Sequence, residues 1–179
     1  MSGVVLRDAG PDDAAGIAHV HVEGWRSTYR GLFPDAFLDA LDEVNRAINW
    51  RQWLPAEGGQ HTLVAIESGE AIGFASGGPA RGKHGFESEV YAIYLLPDVR
   101  RKGIGGRLMA RMFNRVQDDG RGTAHLWVHD GNVAGEAFYR KLGGVPGLRE
   151  EHAEPAPHTG ISYAWDRAGI ARVAAMDRP

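Results

Sequence analysis

Ile93-Tyr94-Leu95-Leu96-Pro97-Asp98-Val99-Arg100-Arg101-Lys102-Gly103-Ile104-Gly105-Gly106 is the stretch on which the reading of this 179-residue chain turns. The apolar run from Val90 to Leu96 has the make-up of a buried strand, and Pro97 ends it. Three consecutive cations, Arg100, Arg101 and Lys102, lead into Gly103, Gly105 and Gly106 at the start of a helix. Glycine lets the backbone come close to a ligand and take positive φ. The first turn of a helix adds unpaired N–H groups and the positive end of its dipole. Strand, turn, cations and helix start together read as a cradle for a pyrophosphate. The competing reading is a solvated basic loop. A Walker loop is excluded because G-x-x-x-x-G-K-[ST] is missing, and the dinucleotide fingerprint G-x-G-x-x-G is absent as well.

Working outward, Ile104, Leu108, Met112 and Val116 form an apolar stripe, with Arg107, Arg111, Asn114 and Arg115 on the other side, which predicts an amphipathic helix. Upstream, His61 to Ile66 and Ala71 to Ala75 read as a hairpin turning at Ser68-Gly69-Glu70, and Gly77 to Gly85 as a loop. Val4-Val5-Leu6 is a short strand. Pro11-Asp12-Asp13 opens a helix carrying Ile17, Val20 or His21, and Trp25. After breaks at Gly31 and Pro34, the spacing of Phe37, Leu41, Val44 and Ile48 predicts a second amphipathic helix. Downstream come a strand at His125 to Val128, a helix at Asn132 to Leu142 stopped by Gly143-Gly144, and two strands near 146–154 and 160–166. Residues 167–179 read as a tail or a short extra helix. The expected order is β-α-α-β-β-β-α-β-α-β-β, an α/β domain whose mixed sheet carries helices on its faces.

Composition fits one soluble globular domain, 43% hydrophobic and 24% charged. Twenty basic against twenty-three acidic residues give a net charge of −3, which argues against a general nucleic-acid binder. The chain has no cysteine, so disulfides, thiolate metal sites and a cysteine nucleophile are excluded. No signal peptide and no run near the roughly 18 apolar residues of a membrane span is evident, so the expected location is cytoplasmic. Among eight histidines no HExxH or comparable ligand spacing occurs, and no metal site is expected.

Arg100-Arg101-Lys102-Gly103-Ile104-Gly105 resembles the [QR]-x-x-G-x-[GA] acetyl-CoA signature of the GNAT superfamily of N-acetyltransferases. Asn132 and Tyr139, seven apart, are similar in spacing to that family's pantetheine-contacting asparagine and general-acid tyrosine. Phe138-Tyr139-Arg140-Lys141-Leu142-Gly143-Gly144 resembles the family's F-Y-x-x-x-G-F, with Gly144 in place of the aromatic. Trp25 to Gly31 resembles a segment of small bacterial members. The resemblance spans roughly residues 4 to 166. It implies a fold whose fourth and fifth strands splay apart, often at a β-bulge. Pantetheine would lie in that gap on the backbone of Ile93 and Leu95, and pyrophosphate on the amides of Arg101 to Gly106, with Arg100 or Arg101 reaching phosphate oxygens.

The implied chemistry is attack of an amine on the acetyl-CoA thioester. An amine of pKa about 10.4 is roughly one part in 10³ neutral at pH 7, so a base or a dry site helps. The resemblance gives the oxyanion to a fourth-strand amide, that of Leu95. Tyr139 is the candidate acid, protonated at neutral pH; its alternative is plain packing. Asn132 can also be the cap of its helix. Glu89, six residues before Leu95, is the candidate base, with an exposed acid at a strand start as the alternative, and His129 or water as other bases. Where a branch that acetylates protein N-termini carries its base, this chain has Trp127. Trp25 and Tyr29 are the candidate acceptor wall; among Trp25, Tyr29, Phe33 and Trp50, at least two are expected to be core. The acceptor is read as a small-molecule amine, with a peptide or protein amine, or a catalytically silent acyl-CoA sensor, as alternatives. A homodimer is an open possibility, since dimers are common among similar proteins.

Overall fold

The structure, a computed structural model, describes residues 3–54, 58–153 and 156–177. Its strands are β1 (Val5–Asp8), β2 (His61–Glu67), β3 (Glu70–Pro79), β4 (Ser88–Leu95), β5 (Ala124–His129), β6 (Val145–His152) and β7 (His158–Trp165). Its helices are α1 (Ala14–Tyr29), α2 (Asp35–Asp39), α3 (Glu43–Trp53), α4 (Ile104–Asp118), α5 (Val133–Lys141) and α6 (Arg167–Ala174). One sheet runs β1-β2-β3-β4-β5-β7-β6. Among the described strands only the β4–β5 pair is parallel, and its register holds two residue pairs, Ser88 with Ala124 and Glu89 with His125. Beyond Glu89 the two strands separate.

Alternation along the strands splits the core between the two faces. Leu63, Ala65 and Ala75 face α4, while Val64 and Phe74 face α1 and α3. The stripe expected on α4 is the buried one. Leu108, Met109, Met112 and Phe113 are all fully buried, each at roughly 1.5–3 kcal/mol of burial, so α4 is a firm platform for its own first turn. Residues 167–174, read as tail or helix, form α6. Asp166 caps it, accepting from Gly169 N–H at 2.7 Å, and Ile170 and Val173 are buried against the α4 side of the core.

Two expectations need correction. The stripe Phe37, Leu41, Val44 and Ile48 is not a single buried face. The chain breaks after Asp39, Asp42 caps α3 by accepting from Val44 N–H, and Val44 and Ile48 are exposed. Leu38, Trp50 and Leu54 do the packing instead. Gly77 to Gly85 is not all loop, because β3 continues to Pro79. At Gly77 a Cβ would stand 2.9 Å from the Glu89 carbonyl and 3.0 Å from Met112 Sδ, so the glycine marks close approach within a sheet, not a turn. The expected strand 146–154 is β6, with its last residue outside the described ones.

Candidate active site

The β3–β4 register skips Tyr91: Ser76 pairs with Ala92 and Gly77 with Val90, a β-bulge that re-aims β4 where it leaves β5. Leu96 N–H donates to the Ile72 carbonyl at 3.0 Å. Backbone groups alternate sides along a strand, so Tyr94 faces β3, and the amides and carbonyls of Ile93 and Leu95 face the gap. Burial agrees. β4 runs mid-sheet, yet Tyr91 to Leu95 are only half-buried.

At the end of β4 a short 3₁₀ turn, Pro97–Val99, leads into the cationic segment. Arg101 (φ 62) and Gly103 (φ 84) are both left-handed. Nothing lies within 4 Å of a Cβ built on Gly103, so glycine is needed there for its φ, not for space. The first bond of α4 runs from Arg107 N–H to the Gly103 carbonyl at 3.2 Å, leaving the preceding amides at the helix start free for an anion. Arg101 and Lys102 are exposed and enter no ion pair among the described residues, whereas Ile104 and Gly105 are buried and Gly106 half-buried. Arg100 behaves differently. Its Nε donates to the Leu95 carbonyl (3.2 Å), and its Nη2 to Ser27 Oγ (2.6 Å) and Thr28 Oγ1 (3.3 Å) on α1. Burial lowers its pKa. A strand edge left without a partner strand, ending on a nest of amides flanked by exposed cations, fits a pantetheine arm with a pyrophosphate.

On the other side of the gap lies a cleft of ≈ 270 Å³. Trp25, Tyr29 and Phe33 form one wall, and Trp127, His129 and His158 another. The Tyr29 and Tyr94 hydroxyls stand 3.4 Å apart at its end. Burial raises the pKa of both phenols, so both keep their protons. Glu89 also lines the cleft but is not an exposed acid: it is 5% exposed, and Arg81 donates to it from its backbone N–H (2.9 Å), Nη2 (2.7 Å) and Nε (3.3 Å). Burial lowers the pKa of His129, which stacks on His158 with ring centroids 5.2 Å apart. Trp50, by contrast, is core, donating from Nε1 to His21 Nδ1 at 3.2 Å.

Tyr139 and Asn132 sit on α5, which buries no residue completely. Asn132 is the cap, its Oδ1 accepting from Gly135 N–H at 3.0 Å while its amide nitrogen stays available. Tyr139 packs beside Phe138 and Tyr163, and its hydroxyl makes no hydrogen bond to the described residues. Its pKa is raised by burial first and by the nearby Tyr29 second. It does not line the aromatic cleft. Sequence reasoning missed Arg81, Tyr94, His152 and His158. Tyr94 had a signal in the decisive stretch itself: an aromatic among aliphatics on the face opposite Ile93 and Leu95.

The sequence profile of the acetyltransferase (GNAT) family matches residues 22–144. The chain belongs to that family. This acetyltransferase is 34% identical over 131 residues to YuaI, an uncharacterised N-acetyltransferase of Bacillus subtilis, across 72% of this chain and 73% of that one. It is 29% identical over 142 residues to the L-methionine sulfoximine/L-methionine sulfone acetyltransferase of Pseudomonas paraeruginosa, across 77% and 78%. Its fold is similar to that of the PaiA N-acetyltransferase of Thermoplasma acidophilum in complex with coenzyme A, at a TM-score of 0.70 and 20% identity, covering 91% of this chain and 99% of that one. The acetyltransferase is an acetyl-CoA-dependent transferase of the N-acetylating type. No described helix is long and apolar enough to cross a membrane, and no described group of three or more histidines and carboxylates could hold a metal ion.

A larger cleft of ≈ 400 Å³, lined by Arg7, Asp8, Arg111, Asn114, Arg115 and Asp177, lies away from these groups. Its arginines are paired with Asp13, Asp177 and Asp8, so it offers no free charge to a ligand.

Proposed function

We propose that this acetyltransferase moves the acetyl group of acetyl-CoA onto the primary amine of a small molecule, by direct attack in a ternary complex. The observation that carries the reading is the gap beyond the two β4–β5 residue pairs, which opens toward the amide nest at one end and the aromatic cleft at the other. The cleft's modest volume favours an amino-acid-sized acceptor over a peptide segment. The Pseudomonas relative, named for acetylating amino-acid derivatives, points the same way.

In this reading the amides of Arg101 to Gly106 take the pyrophosphate, and the Ile93 and Leu95 edge pairs with pantetheine as an added strand would. The spare amide nitrogen of Asn132 also serves pantetheine. The amine nitrogen forms a bond to the thioester carbon, Leu95 N–H stabilises the oxyanion, and the C–S bond breaks as Tyr139 protonates the departing sulfur. Glu89 and His129 face the cleft as groups that can take the amine's proton, directly or through water. Arg81 engages both oxygens of Glu89, while burial keeps His129 neutral. Trp25 and Tyr29 hold the acceptor.

The test is free-thiol release from acetyl-CoA with a panel containing L-methionine sulfone, a polyamine and a short peptide with a free N-terminus. Release at least tenfold above the amine-free rate with the amino-acid derivative is expected. Release with the peptide alone would transfer the reading to peptide acetylation. Binding of CoA without release for any amine would make the protein a silent acyl-CoA sensor.

A further inference from the structure

Arg100 opens the cationic segment, yet its guanidinium is spent inside the protein. One nitrogen holds the carbonyl of Leu95, the last residue of β4, and another reaches two hydroxyls of α1. The geometry points to Arg100 as a positioning residue that ties the cofactor turn to the acceptor wall. This inference rests on the function proposed above and goes beyond it, because it gives the first residue of the cationic turn a role other than phosphate binding.

Ser27 and Thr28 lie between Trp25 and Tyr29, the two α1 side chains on the cleft. The Ser27 hydroxyl donates to the Glu23 carbonyl at 2.7 Å and accepts from Arg100 at 2.6 Å. The chain of bonds therefore runs from the helix backbone, through one hydroxyl, to the guanidinium and on to the end of β4. Among the described residues Arg100 enters no ion pair, so no carboxylate competes for it. Its direct neighbour Arg101 carries the left-handed φ of the amide nest. A shift of the nest on binding pyrophosphate pulls on Arg100, and Arg100 pulls on the last turn of α1. Only a planar fork spans both partners at once; a lysine ammonium is one point charge and reaches one side.

Coenzyme A itself is the probe, and the readout is hydrogen–deuterium exchange of the α1 segment around residues 24–30, with affinity from calorimetry. In the wild type, CoA should slow exchange in that segment by about fivefold or more. In the double variant Ser27→Ala, Thr28→Val, CoA should bind within about twofold of the wild-type Kd and the protection should vanish. Arg100→Lys should do the same. Both changes are mild for folding: alanine suits a helix, and valine keeps the shape of threonine. Protection that survives in the double variant overturns the inference. So does Arg100→Lys or Arg100→Gln weakening CoA binding tenfold or more, the mark of a phosphate ligand. Absence of CoA binding by the wild type sinks the functional reading instead, and this inference with it.

Discussion

His21 is expected to turn acidity into instability, through its burial and its bond to Trp50. The side chain is 9% exposed, stacks on Tyr94 at 5.1 Å and 25°, and accepts from Trp50 Nε1 through Nδ1 at 3.2 Å. That bond requires a bare Nδ1, so protonation there both buries a charge and breaks the bond. Burial, with a smaller push from Arg46, lowers its pKa from 6.5 to about 3. A histidine with a depressed folded-state pKa contributes its full stability above the unfolded value, near 6.5, and loses it as pH falls toward the folded value. At pH 5 the unfolded chain is mostly protonated at this site and the folded one is not. The loss between pH 7.5 and pH 5 is then about 2 kcal/mol, and a folded pKa one unit higher hardly changes it. Urea unfolding at both pH values, for the wild type and for His21→Gln, isolates the effect, because glutamine keeps an acceptor for Trp50 and does not titrate. The difference in stability between the two proteins should shift by about 2 kcal/mol in favour of the variant at pH 5. A difference that stays flat within about 0.5 kcal/mol would refute the reasoning.

Tyr139→Phe should lower kcat about a hundredfold while CoA affinity stays within about twofold; an unchanged kcat removes Tyr139 from the mechanism. Glu89→Gln and His129→Gln, compared by their kcat/KM–pH profiles, should differ, with the acidic limb moving or vanishing only in the variant that lacks the base. An intact limb in both assigns the proton to water. Gly103→Ala meets no atom within 4 Å and acts only through φ 84, so it should cost about 1–2 kcal/mol, lower Tm by about 2–8 °C and weaken CoA binding. Unchanged Tm and CoA affinity would mean the turn is not held in that conformation.

The strand–turn–helix around residues 90–116 was legible because its signals agree: an apolar run, a proline stop, glycines at the helix start and a four-residue stripe that is the buried face. The hairpin at Ser68-Gly69 was legible from turn chemistry, and both turn residues are left-handed. The region 35–53 misled because periodicity counts apolar residues without knowing that a cap at Asp42 starts a new helix with a different phase. Glu89 shows another limit. Its three hydrogen bonds come from Arg81, eight residues upstream in the β3–β4 connection, whose path no local pattern sets. The stacking of His129, His158 and His152 depends in the same way on β7 lying between β5 and β6. Arg100, expected from the motif as a phosphate contact, is hydrogen-bonded to Leu95, Ser27 and Thr28, partners that only the packing of α1 against the end of β4 brings within reach.

The two-pair seam between β4 and β5 has a thermodynamic consequence. The flanking ribbons, β1 to β4 and β5 to β7, complete their own ladders, so in the proposed binding mode a guest entering the fork would break no ladder bond and would meet one protein bond at its edge, from Arg100 Nε to the Leu95 carbonyl. Elsewhere along that edge its amides would trade hydrogen bonds to water for hydrogen bonds to protein, an exchange that is nearly neutral bond for bond. Affinity must then come from the charged and greasy ends of the guest. The middle of the guest contributes mainly register: it sets how far the reactive end protrudes toward the acceptor.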